Sequence, residues 1–306
     1  VPDNALACVS GMTHFVRLDG GAHLKKQRRG FSAAKMMGGG IAMLGRALTL
    51  PFGRYYGART AAHAAMALAP IIRIATQRGI VRYRCPTATV AKQASKMIAR
   101  EPDTIEWLDE YLKPGDHLWD VGANIGAFSI YAALHEGVSV TAFEPVAGNF
   151  DVLTQAIMLN GMGARVAPLA MGLSDVTGLL TIYLIDVEAG AGLHALGKPE
   201  NIRGEFEPAG QVTVPVIRGA DAVSHFRVTP PDHIKIDVDG HEMRVLEGLG
   251  DVLAKTRTVW IETTTDAEAS GENARIAAFL EERGFARASL SSGRAGENTL
   301  FVNRKN

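Results

Sequence analysis

One stretch governs what this chain can fold into: His117-Leu118-Trp119-Asp120-Val121-Gly122-Ala123-Asn124-Ile125-Gly126, followed by Ala127-Phe128-Ser129-Ile130-Tyr131-Ala132-Ala133-Leu134. A short apolar run carrying an acid, a turn punctuated by two glycines and then apolar residues at helical spacing read as strand, tight loop and helix. That is the opening unit of an open α/β sheet. Gly122 and Gly126 lack Cβ atoms, so the backbone can turn sharply and approach a bound molecule, while the following helix presents unpaired N–H groups. Such a loop holds a ligand.

The rest of the chain extends this unit. Ser139 to Phe143 reads as a second strand ending at Glu144, close to where an acid meets ribose hydroxyls in nucleotide-binding α/β folds. A helix with Phe150, Leu153, Ile157 and Met158 follows, then a third strand from Arg165 to Ala170 that runs into Gly172-Leu173-Ser174-Asp175. Gly178 to Ile185 and Gln211 to Ile217 read as an inserted antiparallel pair, joined by about 25 residues, a length typical of lids and binding loops. His194, Lys198 and Arg203 in that loop are candidate contacts to a polar ligand. Asp232 to Val238 alternates Ile234, Ile236 and Val238 with Lys235, Asp237 and Asp239. Charges on a central strand are costly unless paired or used, so Asp237, Asp239 and His241 at its carboxyl end are candidates for chemistry. Thr258 to Ile261 makes a fifth strand ending at Glu262, Ala274 to Glu282 a helix, and Phe285 to Leu290 with Thr299 to Asn303 a closing antiparallel hairpin. Upstream, Ile71 to Ile74 and Ile80 to Arg84 flank Gln77-Arg78-Gly79 as a hairpin. Asp103 has the spacing to cap a helix from Thr104 to Leu112, with Glu106 completing a capping box.

The glycine loop departs from G-x-G-x-x-G, because Asn124 stands where a dinucleotide site needs a glycine to admit a pyrophosphate. The pattern D-V-G-A-N-I-G favours a ligand without pyrophosphate, with an amino-acid end that a carboxylate can position, and resembles motif I of class I S-adenosylmethionine-dependent methyltransferases. Glu101-Pro102-Asp103-Thr104-Ile105-Glu106-Trp107, Phe143-Glu144-Pro145 and Ile234-Lys235-Ile236-Asp237-Val238-Asp239-Gly240-His241-Glu242, in this order, sharpen the likeness. Over residues 71–306 the chain resembles the FkbM family of methyltransferases, departing from it at Asp239, where the family is expected to carry glutamate.

The resemblance implies a Rossmann-like α/β fold, a seven-stranded, mainly parallel, doubly wound sheet. It implies S-adenosyl-L-methionine as cofactor, held by Asp120, Gly122, Asn124, Gly126 and Glu144, with Ser174 or Asp175 toward the adenine. The implied reaction is O-methylation of a sugar, polysaccharide, glycolipid or secondary metabolite, with Asp237, Asp239 or His241 as catalytic residues and the choice of base among them open. A divalent metal held by Asp237 and Glu262 is conceivable, both being hard oxygen ligands, but the two carboxylates fall short of a full ligand set and no metal ligand is assigned. Two rival readings share some of these residues. A nicotinamide-dependent oxidoreductase would use Glu144 but lacks the glycine, and a non-enzymatic basic module on a donor-binding fold would need no catalytic set.

Composition bears on the remainder. A chain of 306 residues, 47% apolar, can bury a full α/β core and still carry an extension. Neutral overall, it has 16 Lys or Arg against only Asp3 and Asp19 in residues 1–100, and 16 against 30 acids in residues 101–306. Residues 1–70 read as a basic, partly helical extension: Lys25-Lys26-Gln27-Arg28-Arg29 in a loosely ordered segment 1–40, then short helices over Ile41 to Leu50 and Thr60 to Leu68, split by Pro51-Phe52-Gly53. An anionic membrane surface or a polyanion is the partner expected for it, without specific nucleic-acid binding. Cys8 and Cys85 give neither a disulfide framework nor zinc spacing, which fits a cytoplasmic protein, peripheral to a membrane at most. The stretch Ala61 to Ile72 falls short of the roughly 20 residues needed to span a bilayer. The chain begins at Val1 rather than methionine, so a preceding segment stays open.

Overall fold

The computed structural model describes residues 14–16, 39–40, 43–45, 47–48, 53–263, 270–293 and 298–305. The basic cluster Lys25 to Arg29 and most of the segment 1–40 lie outside the described residues, as does part of the helix expected over 41–50; residues 43–45 and 47–48 are helical. Helix α1 (Gly53–Leu68) starts earlier than expected, its alanine-rich composition carrying helicity back through Tyr55 and Arg59. It is exposed at nearly every described position, Tyr55, Met66 and Leu68 included. The antiparallel hairpin forms as read, from β1 (Ile71–Thr76) and β2 (Gly79–Arg84), with His14–Val16 parallel to β1.

Helix α2 (Ala88–Arg100) was not foreseen. Thr87 caps it, its hydroxyl accepting the Val90 N–H at 3.0 Å, and Val90, Ala94 and Met97 are buried one turn apart. Helix α3 (Pro102–Tyr111) corrects the expected cap: Glu101 stands at the N-cap, Pro102 takes the first turn where its missing N–H costs nothing, and Asp103 is a buried first-turn residue.

The chain then runs through β3 (His117–Val121), α4 (Ala127–Ala132), β4 (Ser139–Phe143), α5 (Ala147–Leu159) and β5 (Val166–Leu169). An insertion follows, comprising β6 (Gly172–Leu173), β7 (Gly178–Leu184), β8 (Ala195–Leu196) and β9 (Gly210–Ile217). The series closes with α6 (Gly219–Phe226), β10 (His233–Ile236), α7 (Glu242–Leu249), α8 (Val252–Lys255), β11 (Thr258–Glu262), α9 (Ser270–Glu282), β12 (Phe285–Ala288) and β13 (Asn298–Asn303). The main sheet has seven strands in the order β12-β13-β11-β10-β3-β4-β5. Only β13 runs against its neighbours. This is the mainly parallel, doubly wound, Rossmann-like sheet that the sequence implied. Its strands are buried on both faces, beneath one core around Trp107, Leu118 and Leu153 and another around Trp119, Phe143 and Leu246.

This order decides where a site can be. The chain winds outward from β3 to β5 and then crosses back to lay β10 on the other side of β3, Ile236 in register with Val121. At such a switch point the connections leave in opposite directions and open a crevice at the carboxyl ends. The amino ends are closed by satisfied polar groups: His233 bridges Thr258 and Asp116 at 2.7 and 3.0 Å, and Arg257 pairs with Asp116 and Asp232. The inserted strands pair antiparallel as expected, in a separate four-stranded sheet, β6-β9-β7-β8, with its own small core of Ile182, Leu184, Val214 and Val216. The connection between β7 and β9 forms a strap over the crevice.

Candidate active site

Where β3 ends, the Gly122 and Ala123 N–H groups both donate to the Phe143 carbonyl, at 3.1 and 3.0 Å, and swing the chain across the carboxyl edge. Gly122 has φ 81°, and a Cβ there would lie 1.9 Å from the Asp237 carbonyl oxygen. The close approach read from the sequence is therefore first an approach to the neighbouring strand end, with the ligand face on the other side. Asn124 is also left-handed, at φ 50°, a conformation asparagine tolerates better than most residues. Its N–H donates to Glu144 Oε2 at 2.8 Å and its Nδ2 to the Ala191 carbonyl at 3.0 Å, while its Oδ1 is buried without a partner. Gly126 begins α4 and packs on Leu153, off the ligand face.

Glu144 is buried at the end of β4. Its Oε1 accepts the Val146 N–H at 2.8 Å, matching the Asn124 bond on the other oxygen. Burial pushes its carboxyl up to about 7 against these donors. A carboxylate has about four acceptor sites, so Glu144 can accept from further donors beside these N–H groups. A cavity of about 80 Å³ opens here, bounded by the glycine loop, Glu144, Leu173, Ile182 and the Asp237 to Asp239 turn. The strap roofs it with Ala191, Gly192, His194 and Leu196.

The strap is fastened at several points. Asn149, which the sequence reading did not single out, donates to the Ala191 carbonyl at 3.0 Å and accepts the Gly190 N–H at 2.7 Å. Thr87 of the α2 cap donates to the Ala189 carbonyl at 2.9 Å, and the Leu193 N–H donates to Asp239 Oδ2 at 2.7 Å. Of the three strap residues suggested by the sequence, only His194 reaches the cavity, buried and with its pKa lowered by that burial. Lys198 is exposed and pairs with Glu200, and Arg203 is exposed.

At the end of β10 the charges converge. Lys235 is fully buried, 5.0 Å from the Phe128 ring centroid, and donates to Asp237 Oδ2 at 2.7 Å. Burial would lower its pKa, but Asp237, Asp120 and Glu101 outweigh that and hold it charged. Burial likewise works against ionised Asp237, yet the Lys235 ammonium wins, helped by a hydrogen bond from Glu262, and keeps the carboxyl below the usual carboxylate range. Single oxygens of Asp237, Asp239 and Glu262 lie within 4.8 Å of one another. Burial and the repulsion of Asp237 lift Asp239 to about 7, and burial with the same neighbours lifts Glu262 to about 10, so Glu262 keeps a proton to share with Asp237. Glu242, lifted to about 7 by burial, accepts the Val238 and Gly240 N–H groups and shapes the turn in which Asp239 sits at φ 56°.

Three sequence-derived candidates sit elsewhere than expected. Asp120 is buried behind the loop, accepting from Ser129 at 2.5 Å with its Oδ1 unpartnered, and is not on the cavity wall. Ser174 and Asp175 also miss that wall. Ser174 lies 3.0 Å from His241 Nε2 and donates to Asp175 Oδ1 at 2.9 Å, and Asp175 pairs with Arg244. His241 itself lines the cavity, its pKa lowered to about 4 by burial and by the Arg244 charge.

Comparison with known proteins gives this geometry a family. The methyltransferase FkbM domain matches residues 120–286, more than half of the chain. Hexuronic acid methyltransferase AglP of Haloferax volcanii is 32% identical over 162 residues, 53% of this chain and 62% of that protein. The 31-O-demethyl-FK506 methyltransferase FkbM of Streptomyces tacrolimicus is 31% identical over 57% of this chain and 74% of its own length. The methyltransferase sdnD of Sordaria araneosa is 31% identical over 54% and 72% respectively. The chain thus spans less than two thirds of the first of these relatives. S-adenosyl-L-methionine, the cofactor implied by the sequence, fits the residues present. Glu144 offers ribose acceptors, Phe143, Leu173 and Ile182 an apolar slot for a flat base, the unpartnered Asn124 Oδ1 a hydrogen-bond acceptor, and Asp237 and Asp239 a negative field for a cationic end. By match, topology and site together, the chain belongs to the FkbM methyltransferase family.

Proposed function

We propose that this chain transfers a methyl group from S-adenosyl-L-methionine to a hydroxyl oxygen of a polar acceptor, with Asp239 as the general base. One observation carries the reading: on the wall of the donor cavity, Asp239 alone of the three candidate residues has a pKa near the operating range, at about 7, while Asp237 is tied up ionised by Lys235 and His241 is lowered to about 4. When bound, the cofactor supplies an electrophilic methyl group on a positively charged sulfur. The chain does the rest. Glu144 and the Asn124 loop would hold the nucleoside, Asp237 would supply a fixed negative charge for the cationic end, and Asp239 would take the hydroxyl proton of the acceptor as its oxygen receives the methyl group. The strap excludes water from the reacting atoms. The name of the archaeal relative, a hexuronic acid methyltransferase, supports a sugar acceptor over other hydroxyl compounds.

Glu144→Ala tests donor binding. Removing a carboxylate that accepts two hydroxyl bonds costs about 1.5–3 kcal/mol per charged hydrogen bond, so S-adenosylhomocysteine should bind at least tenfold more weakly by calorimetry, with the fold retained by circular dichroism. Equal affinity in the two proteins would move the nucleoside out of this cavity.

A further inference from the structure

Next to the donor cavity, and sharing the His241 ring with it, lies a second cavity of about 280 Å³. Its charged walls are Asp175, Arg244, Glu247, Glu272 and Arg275, and Met243 is its one apolar side chain. We propose that this cleft is the acceptor subsite and that it takes a polyhydroxylated ring, a sugar, and not an apolar polyketide. The proposal rests on the methyl-transfer reading above.

Position is the first argument. The turn Asp239-Gly240-His241 forms the shared boundary, Asp239 facing the donor cavity, Gly240 the cleft and His241 both. A ring seated in the cleft would therefore adjoin the donor cavity along this turn. No strap residue lines the cleft.

Chemistry is the second. Glu247, Glu272 and Arg275 make no hydrogen bond or ion pair among the described residues, leaving two carboxylates and a guanidinium free around one small space. Carboxylates only accept and guanidinium groups only donate, so the alternation matches vicinal hydroxyls, which do both. An apolar ligand would strip water from these charges and return nothing.

The third argument fixes His241. A serine hydroxyl has one hydrogen, and Ser174 gives it to Asp175 Oδ1, which can only accept. The 3.0 Å contact between Ser174 Oγ and His241 Nε2 must then run from Nε2–H to oxygen. That sets the tautomer and leaves Nδ1, which makes no hydrogen bond among the described residues, as a lone-pair acceptor. Ser174 and Asp175 are positioning residues in this arrangement. They orient a neutral imidazole that accepts from one sugar hydroxyl while Asp239 takes the proton of its neighbour.

The test uses the full chain with saturating S-adenosylhomocysteine, and methyl glucoside, methyl glucuronide and a hydroxylated macrolactone as probes in saturation-transfer NMR. The sugars should bind, the Arg275→Ala/Glu272→Ala double variant should weaken them at least tenfold with S-adenosylhomocysteine affinity unchanged, and Ser174→Ala should turn the ¹⁵N signature of His241 from a single Nε2–H tautomer into a mixture. Both altered cleft residues are exposed, so folding is not at issue. Sugar affinity unaffected by the double variant overturns the cleft while leaving the methyl-transfer reading in place, and so does macrolactone binding that the double variant weakens instead. Failure of the wild-type protein to bind S-adenosylhomocysteine overturns both.

Discussion

Lys235→Met should lose about 3–5 kcal/mol of folding stability, the usual cost of removing one member of a buried ion pair and leaving the other uncompensated. The size follows from the surroundings. Lys235 is fully buried and is the shared counter-ion of Asp237, Asp120 and Glu101, and Asp120 already has one oxygen without a partner. Against a total of roughly 5–15 kcal/mol for a domain, such a loss is a large fraction. Urea unfolding followed by fluorescence of the three tryptophans would measure it, with the m-value showing whether compactness has changed. The companion Lys235→Met/Asp237→Leu should recover part of the loss, because two buried charges then disappear together. A single variant as stable as the wild type would mean that Asp237 does not depend on Lys235 for its charge.

Asp239→Asn should lower kcat by about 10² to 10⁴, the usual contribution of a general base, with donor affinity nearly unchanged. Asparagine keeps a carbonyl oxygen where Asp239 Oδ2 accepts the Leu193 N–H, so the strap stays fastened and the effect isolates proton removal. The pH profile supplies the sign. The working form of the base is the carboxylate, so wild-type kcat, measured with the methyl donor saturating so that Glu144, also lifted to about 7, drops out, should climb as pH rises through about 7 and level off above it. In the asparagine variant that limb should vanish. Retention of full activity, or of the limb, would pass the role to another group.

The parts of this architecture that could be read from the chain are those whose signal is local. A strand, two glycines and a helical period fix β3, its loop and α4. Alternating apolar residues mark β10, and the acids at strand ends mark the carboxyl edge. Helix α2 escaped because its buried face consists of Val90, Ala94 and Met97 among polar residues, too little bulk to stand out. The Asp103 capping box had the right spacing, but Pro102 started the helix two positions earlier. From the sequence, Ser174 and Asp175 read as cofactor contacts because they follow the third strand. What places them against His241 is a contact distant in sequence: Gly248 of α7 has no side chain, and a Cβ there would lie 1.9 Å from the Ser174 carbonyl oxygen. The shifted acidities of Asp239 and Glu144 were equally invisible, since they arise largely from burial among segments far apart in the chain.

The fastening of the strap to Asp239 has a kinetic corollary. Under the proposed reading one carboxylate would both fasten the strap and meet the acceptor, so the strap would have to settle over the donor before an acceptor engages. Turnover should follow a compulsory order, the sulfonium compound first on and its spent thioether last off. Product inhibition by S-adenosylhomocysteine would then be competitive against the methyl donor and mixed against the acceptor.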